Sequence, residues 1–204
     1  DPVDILESGY VRFYELLGFI PKTISNFTKN VEMIFNKKRD LLIVVGGGSL
    51  PPQLYDRPHE DELQPNRDRM EEQVIHYCVA HGIPIIATCR GMQYINVMFG
   101  GKLWYHPKLP VNRTRGVDHQ VWLVKEQRNI WVNNYHSDCI YEEGLASCFE
   151  PLAIDRENHV VEAYGSDEMK ILALQWHPER RFETANAYEE TRKIILDFIQ
   201  KYVK

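Results

Sequence analysis

The sequence predicts an α/β three-layer sandwich built on a central, mostly parallel sheet, with a nucleophile elbow at its edge. Three observations lead there. Continuous apolar runs at 41–45, 83–87 and 171–174 read as strands buried on both faces. Stretches of helical period separate them, and strands alternating with helices imply a parallel sheet with right-handed crossovers. The third observation is Ile83-Pro84-Ile85-Ile86-Ala87-Thr88-Cys89-Arg90-Gly91-Met92-Gln93, which passes from an apolar strand through a tight turn into a helix. Ala87 and Gly91 stand two positions either side of Cys89, the spacing of a strained strand-to-helix turn that holds up a reactive side chain. A thiol there sits at a helix N-terminus, whose partial positive charge favours the thiolate.

Taken in order, Tyr10, Val11, Tyr14 and Leu17 recur at helical spacing, with Gly18 as a C-terminal stop. Residues 19–24 form a strand candidate, and Val31, Ile34 and Phe35 a second short helix. The loop from 46 to 65 is long and rich in proline, a length that in a compact domain is usually functional or disordered. Asn66 is placed to cap the next helix, with Gly82 past its end. On that helix Met70, Val74, Tyr77 and Cys78 form the apolar stripe, which makes Cys78 a packing residue. Arg67 and Asp68 read equally as ligand contacts or as a helix-start charge pair. Beyond Gly100-Gly101, residues 102–105 read as a strand or turn. Strands are expected at 119–124, 129–133, 152–155, 160–164 and 171–176, as hairpins appended to the parallel sheet. Thr191, Ile194, Ile195, Phe198, Ile199 and Tyr202 mark an amphipathic C-terminal helix that covers one sheet face. The whole of 1–204 is read as one domain.

Composition narrows the function. Hydrophobic residues at 44% and charged residues at 26% describe an ordinary globule, and the formal charge of −5 argues against a general nucleic-acid binder. No apolar run approaches the roughly 20 residues of a membrane span. Four cysteines without a CxxC pair fit a reducing, cytoplasmic setting. The histidines never stand at zinc spacing, so neither metal nor cofactor is expected. His76, His81 and His159 read as surface residues.

A cysteine by itself is ordinarily a small buried hydrophobe. Two further segments change that reading. Gln175-Trp176-His177-Pro178-Glu179 follows the last apolar strand, so His177 emerges at the same sheet edge as Cys89. There it can take the thiol proton while Glu179 orients the ring. Val44-Val45-Gly46-Gly47-Gly48-Ser49 ends another strand; a glycine run by itself is usually a tight turn, but here Gly47 and Gly48, with the N–H of Arg90, can face a developing oxyanion. Gln93 lies one helical turn past Cys89 and can face the same pocket or solvent.

With these residues in view, the chain from about Tyr10 onward resembles the class I glutamine amidotransferase-like hydrolases, specifically their γ-glutamyl hydrolase branch. Gly46 to Tyr55 is similar to that branch's Gly-Gly-Gly-Asp-Val-Asp-Pro-x-x-Tyr loop. Arg67-Asp68-Arg69-Met70-Glu71 resembles its Arg-Asp-x-x-Glu helix start, and Cys89-Arg90-Gly91-Met92-Gln93 its nucleophile segment. Val132-Asn133-Asn134-Tyr135-His136 resembles Val-Asn-Ser-x-His, and Trp176-His177-Pro178-Glu179 the histidine segment. Ala87, Ser49 and Asn134 depart from the usual glycine, aspartate and serine. The resemblance implies a flavodoxin-like class I glutamine amidotransferase fold, with one more strand ahead of the first helix than residues 1–4 supply. It also implies a Cys89, His177, Glu179 triad cleaving a γ-glutamyl amide bond, with Gln93, Asn134 and Tyr135 on the glutamyl portion. His136 follows a strand end and reads either as lining the pocket or as a hydrogen-bonded loop histidine.

The leaving group is approached through charge. Lys102, Lys108, Arg113 and Arg115 face only Asp118 within 102–118, and Arg180 and Arg181 follow Glu179. Arginine forks suit phosphate, and Trp104 and Tyr105 can stack on a base or simply pack. Together with the short span from Cys89 to His119-Gln120, this resembles the γ-glutamyl-CDP-amidate hydrolases of capsule phosphoramidate synthesis, placed here ahead of γ-glutamyl-GABA hydrolases. Arg113 and Arg115 are the expected anion contacts. The rivals are a glutaminase subunit passing ammonia to a synthase partner and a catalytically silent binding or redox protein on the same fold.

Overall fold

The computed structural model describes residues 3–35, 39–55, 63–105 and 115–203. Three strands carry the parallel part of the sheet: β1 (Leu42–Val44), β2 (Ile85–Thr88) and β7 (Ile171–Leu174). They lie side by side in register, Val44 against Ala87 and Ala87 against Ala173. Every residue of β2 and β7 is buried, which is why these strands read as unbroken apolar runs rather than alternating ones.

The remaining strands are β3 (His119–Leu123), β4 (Arg128–Val132), β5 (Glu150–Asp155) and β6 (Val160–Ser166). The sheet runs β1-β2-β7-β6-β5-β3-β4, and every pair beyond β7 is antiparallel. The parallel share is therefore smaller than expected. Short polar turns such as the one between β3 and β4 permit only hairpin connections, whereas parallel neighbours need a long crossover.

Alternate residues of the central strands feed two cores. Ile85, Ala87, Ile171 and Ala173 pack toward α2 (Pro65–His81) and α3 (Arg90–Met98). Ile86, Leu172 and Leu174 pack toward α1 (Ser8–Leu16) and α4 (Ala187–Tyr202). These are the three layers. Trp176, fully buried, donates its indole N–H to Thr191 on α4.

Local differences have local causes. Residues 19–24 form no strand, since no ladder of hydrogen bonds joins them to another segment, and no strand precedes α1 among the described residues. Residues 102–105 contribute only an isolated bridge, Trp104 to Cys139. Val31–Met33 is a single 3-10 turn. The N-cap of α2 is Gln64 rather than Asn66, because Pro65, lacking an N–H, occupies the first helical position. Gly82 ends α2 in the left-handed conformation, as its position suggested. No described helix is long and apolar enough to cross a membrane.

Candidate active site

β1, β2 and β7 end at one edge of the sheet, and the candidate residues stand just beyond those ends. Cys89 follows β2 with φ +52° and ψ −111°, a backbone conformation that a non-glycine residue rarely holds. Two bonds enforce it. The Cys89 N–H donates to the Leu174 carbonyl of β7 (2.8 Å), and its own carbonyl accepts from the Gln93 N–H (3.0 Å), opening α3. Gly91 makes the turn feasible: a Cβ there would lie 2.4 Å from the Val44 carbonyl oxygen, so only hydrogen lets α3 sit this close to β1. Ala87, buried in the strand, is accommodated at the position where the resembling family has glycine.

His177, nearly fully buried, points Nδ1 at Glu179 Oε1 across 2.6 Å. Its backbone is clamped from both sides by Asn133, whose amide oxygen accepts the His177 N–H (2.9 Å) and whose amide nitrogen donates to the His177 carbonyl (2.8 Å). Gly46 lies against both reactive groups. A Cβ there would stand 2.9 Å from the His177 ring and 3.3 Å from the Cys89 Cβ. Tyr10, from α1, accepts the Gly46 N–H (2.9 Å) and lies 3.4 Å from His177 Nδ1. The sequence placed Tyr10 only on an apolar stripe, since nothing local marks its hydroxyl as buried beside Glu179.

The electrostatics are mutual. Burial disfavours the Cys89 thiolate, but the hydrogen bond from His177, the charge of His136 and the Arg90 N–H outweigh it and hold the thiol below its ordinary value. Burial likewise disfavours a charged His177, yet hydrogen bonds to Cys89 and Glu179 push it up to about 9. Each group therefore favours the charged form of the other. The other cysteines contrast with it: buried Cys78 is pushed up to about 12, and exposed Cys148 is also raised, by partial desolvation.

The glycine loop is oriented by Arg67. Its guanidinium donates to the carbonyls of Val45 (2.5 Å), Gly46 (3.1 Å) and Gly47 (2.7 Å). Gly47 and Gly48 both have positive φ, and holding the carbonyls on one side turns amide N–H groups of the loop to the other. Arg67 is thus held by loop carbonyls rather than in a simple helix-start pair with Asp68. It bonds Glu71 (2.6 Å), which also pairs with Arg90 (2.6 Å), while Arg90 reaches Asp68 as well. The Arg90 side chain is almost wholly buried in this network, leaving its backbone N–H for the Cys89 side.

Gln93 is buried, which removes the solvent-facing alternative; its amide nitrogen donates to the Asp138 carbonyl (3.0 Å) and Gln175 Oε1 (3.2 Å). Asn134 is buried with neither side-chain polar atom bonded among the described residues, and its carbonyl accepts the Gly116 N–H (2.6 Å). Tyr135 sets its ring edge-on to His177 at 5.6 Å, and the Arg180 guanidinium lies over that ring at 4.6 Å. His136 lies behind Cys89 and bonds the Asp138 carbonyl (3.0 Å). Arg115 is exposed next to Gly116, whose missing Cβ would face the Tyr135 hydroxyl. Arg113 and Lys108 lie outside the described residues. Trp104, half-buried, packs edge-to-face with Tyr141 (5.2 Å) and against Gly144. Among the described residues no cluster of His, Cys, Asp and Glu is arranged to hold a metal.

The chain is similar to known proteins along most of its length. The sequence profile of the Peptidase C26 family matches residues 2–179. Protein NtpR of Enterococcus hirae is 30% identical over 193 residues, covering 84% of this chain and 80% of that protein. The γ-glutamyl-γ-aminobutyrate hydrolase PuuD of Escherichia coli is 26% identical over 175 residues, covering 73% of this chain and 67% of the enzyme. Among solved structures, a GMP-synthase-subunit-A-like protein of Thermoplasma acidophilum superposes with a TM-score of 0.66 at 20% identity, over 95% of this chain and 88% of that one. A glutamine amidotransferase of Thermotoga maritima gives 0.50 at 20%, over 78% and 64%. These structural likenesses establish the class I glutamine amidotransferase-like fold.

Proposed function

The chain belongs to the Peptidase C26 family, and from that premise we propose that it is a cysteine-dependent hydrolase cleaving the γ-glutamyl amide bond of a small conjugate and releasing glutamate. The observation that carries the reading is the convergence of Cys89, His177 and Glu179 at one sheet edge, with Gly46 set closely against the Cys89 Cβ and the His177 ring.

In this reading the Cys89 thiolate attacks the δ-carbonyl carbon. The oxyanion is met by N–H groups of Gly47 or Gly48 and of Arg90, preorganised by Arg67 rather than recruited during the reaction. The imidazolium of His177 donates its proton to the departing nitrogen as the C–N bond breaks, leaving a thioester. Water then adds while the now neutral His177 takes its proton, and Cys89 leaves as thiolate. Glu179 keeps the Nδ1–H tautomer and stabilises the charged ring. Gln93, Asn134 and Tyr135 line the glutamyl side.

The leaving group is read as anionic, from Arg180, which lies over Tyr135 beside His177 while paired with Glu7 (2.7 Å), and from exposed Arg115 next to Gly116. A γ-glutamyl nucleotide amidate of the capsule phosphoramidate type has phosphate for these cations. γ-Glutamyl-GABA has a carboxylate, and the likeness to PuuD favours it as the second reading. Purified protein incubated with γ-glutamyl-CDP-amidate, γ-glutamyl-GABA and glutamine, with release of glutamate followed, tests both levels. Turnover of any γ-glutamyl amide that Cys89→Ala abolishes is the expected result; turnover that survives Cys89→Ala overturns the covalent mechanism. A marked preference for glutamine would favour an ammonia-supplying glutaminase instead.

A further inference from the structure

Behind the cysteine pocket lies a second set of titratable groups that the hydrolysis scheme leaves unused. Glu162, on β6, is fully buried, with one carboxylate oxygen 3.4 Å from His119 Nε2 and the other 3.6 Å from His136 Nε2. A buried carboxylate is costly unless cations surround it. His136 is placed to supply one. Its Nδ1 bonds the Asp138 carbonyl at 3.0 Å, and its Nε2, without a hydrogen-bond partner among the described residues, lies within ion-pair range of a Glu162 oxygen at 3.6 Å, an arrangement that favours the imidazolium. The same Asp138 carbonyl accepts from Gln93, one helical turn past Cys89, and the Glu162 carbonyl accepts the N–H of Gln175, which bonds Gln93. The cluster is therefore built into the wall of the pocket.

We propose that Glu162 is a positioning residue whose carboxylate, bracketed by His119 and His136, keeps His136 an imidazolium and so sets a second cation beside the Cys89 thiolate. This rests on the nucleophile role given to Cys89 above. In that scheme Cys89 is a thiolate only while His177 holds its proton, so His136 adds a second counter-charge beside the imidazolium rather than replacing it. The groups that face Cys89 are His177 with Glu179 beyond it, Tyr10 from α1, the Arg90 N–H of α3, and His136. Those around His136 are Glu162 from β6, Cys89 and the Asp138 backbone. Glu162 and Cys89 both favour the charged ring and prevail over its burial. The Asp138 carboxylate is engaged separately by the Tyr55 hydroxyl (2.9 Å).

The test is the pH dependence of Cys89 alkylation by iodoacetamide, which needs no substrate. In Glu162→Gln, loss of the neighbouring cation should move the midpoint up by about one pH unit, slowing alkylation in the acidic limb about tenfold. Glu162→Asp should recover part of the shift. An unchanged profile in a Glu162→Gln protein with native circular dichroism overturns the proposal. Where Glu162→Gln fails to fold, the ring protons of His136 in the wild-type protein decide by NMR: protonation persisting well above pH 6.5 is expected, and an ordinary or lower titration overturns the proposal. If Cys89→Ala still hydrolysed substrate while Glu162→Gln shifted alkylation, the function reading would fall and this one would stand.

Discussion

At the scale of single residues, reactivity is decided by what surrounds each thiol rather than by its exposure. Cys148 is the exposed cysteine, yet its thiol is raised, whereas part-exposed Cys89 is held low by His177, His136 and the Arg90 N–H. Iodoacetamide near neutral pH should therefore modify Cys89 well before Cys148, as read by peptide mass mapping; preferential labelling of Cys148 would contradict the ion pair. For turnover, His177→Ala should lose nearly as much as Cys89→Ala because the two act as a unit. Glu179→Gln keeps the shape but removes the charge 2.6 Å from the ring. kcat should drop with KM little changed, and by less than for His177→Ala; wild-type kcat would reduce the site to Cys89 and His177.

At the scale of elements, close approach between α3 and β1 and the orientation of the glycine loop are the two features the site depends on. Gly91→Ala would press a methyl into the Val44 carbonyl, so α3 must back away and carry Cys89 with it. Overpacking of this kind costs about 1–3 kcal/mol, and thermal unfolding should fall accordingly, with activity falling further than stability. Arg67 acts through geometry. Arg67→Ala frees three carbonyls, and loss of oxyanion preorganisation is typically about a hundredfold or more in kcat. Arg67→Lys keeps the charge without the fork and should not restore it. Full activity in the lysine variant would show that charge alone suffices.

Across the whole molecule, charge links the site to stability and to substrate choice. Because His177 is raised from its ordinary 6.5 to about 9, its contribution to stability is complete below pH 6.5 and is lost as pH rises through about 9. The depressed Cys89 works in the opposite sense, losing its contribution as pH falls through its lowered value. Because the two trends oppose, thermal melts from about pH 6 to 9 should be flatter for the wild-type protein than for Cys89→Ala, in which the His177 decline stands alone; identical curves would contradict the coupling. On the substrate side, Arg180→Ala should raise KM for an anionic γ-glutamyl conjugate while leaving glutamine nearly unaffected. Arg113 and Arg115 replaced together should act in the same direction. Such contacts are worth about 1–3 kcal/mol, or roughly tenfold, and added salt should weaken the anionic substrate selectively. Equal losses on both substrates would make these arginines supports of the fold.

What the sequence determined by itself was the local structure written in contiguous residues. The elbow around Cys89, the His177-Pro178-Glu179 stretch and the apolar runs of β1, β2 and β7 are local patterns, and a strand followed by a tight turn and a helix leaves few ways to fold. Three-dimensional packing decided the rest. Tyr10 stands 167 residues from His177 in the chain yet reaches its ring, and Arg67 reads like any charge at a helix start until the loop carbonyls close around it. Residues 19–24 have a strand's composition but join no ladder, and the ladder of a sheet, unlike the turns of a helix, requires a second segment. Glu162 gave no signal at all, because a lone acid in an apolar strand declares itself only when two distant histidines are folded against it.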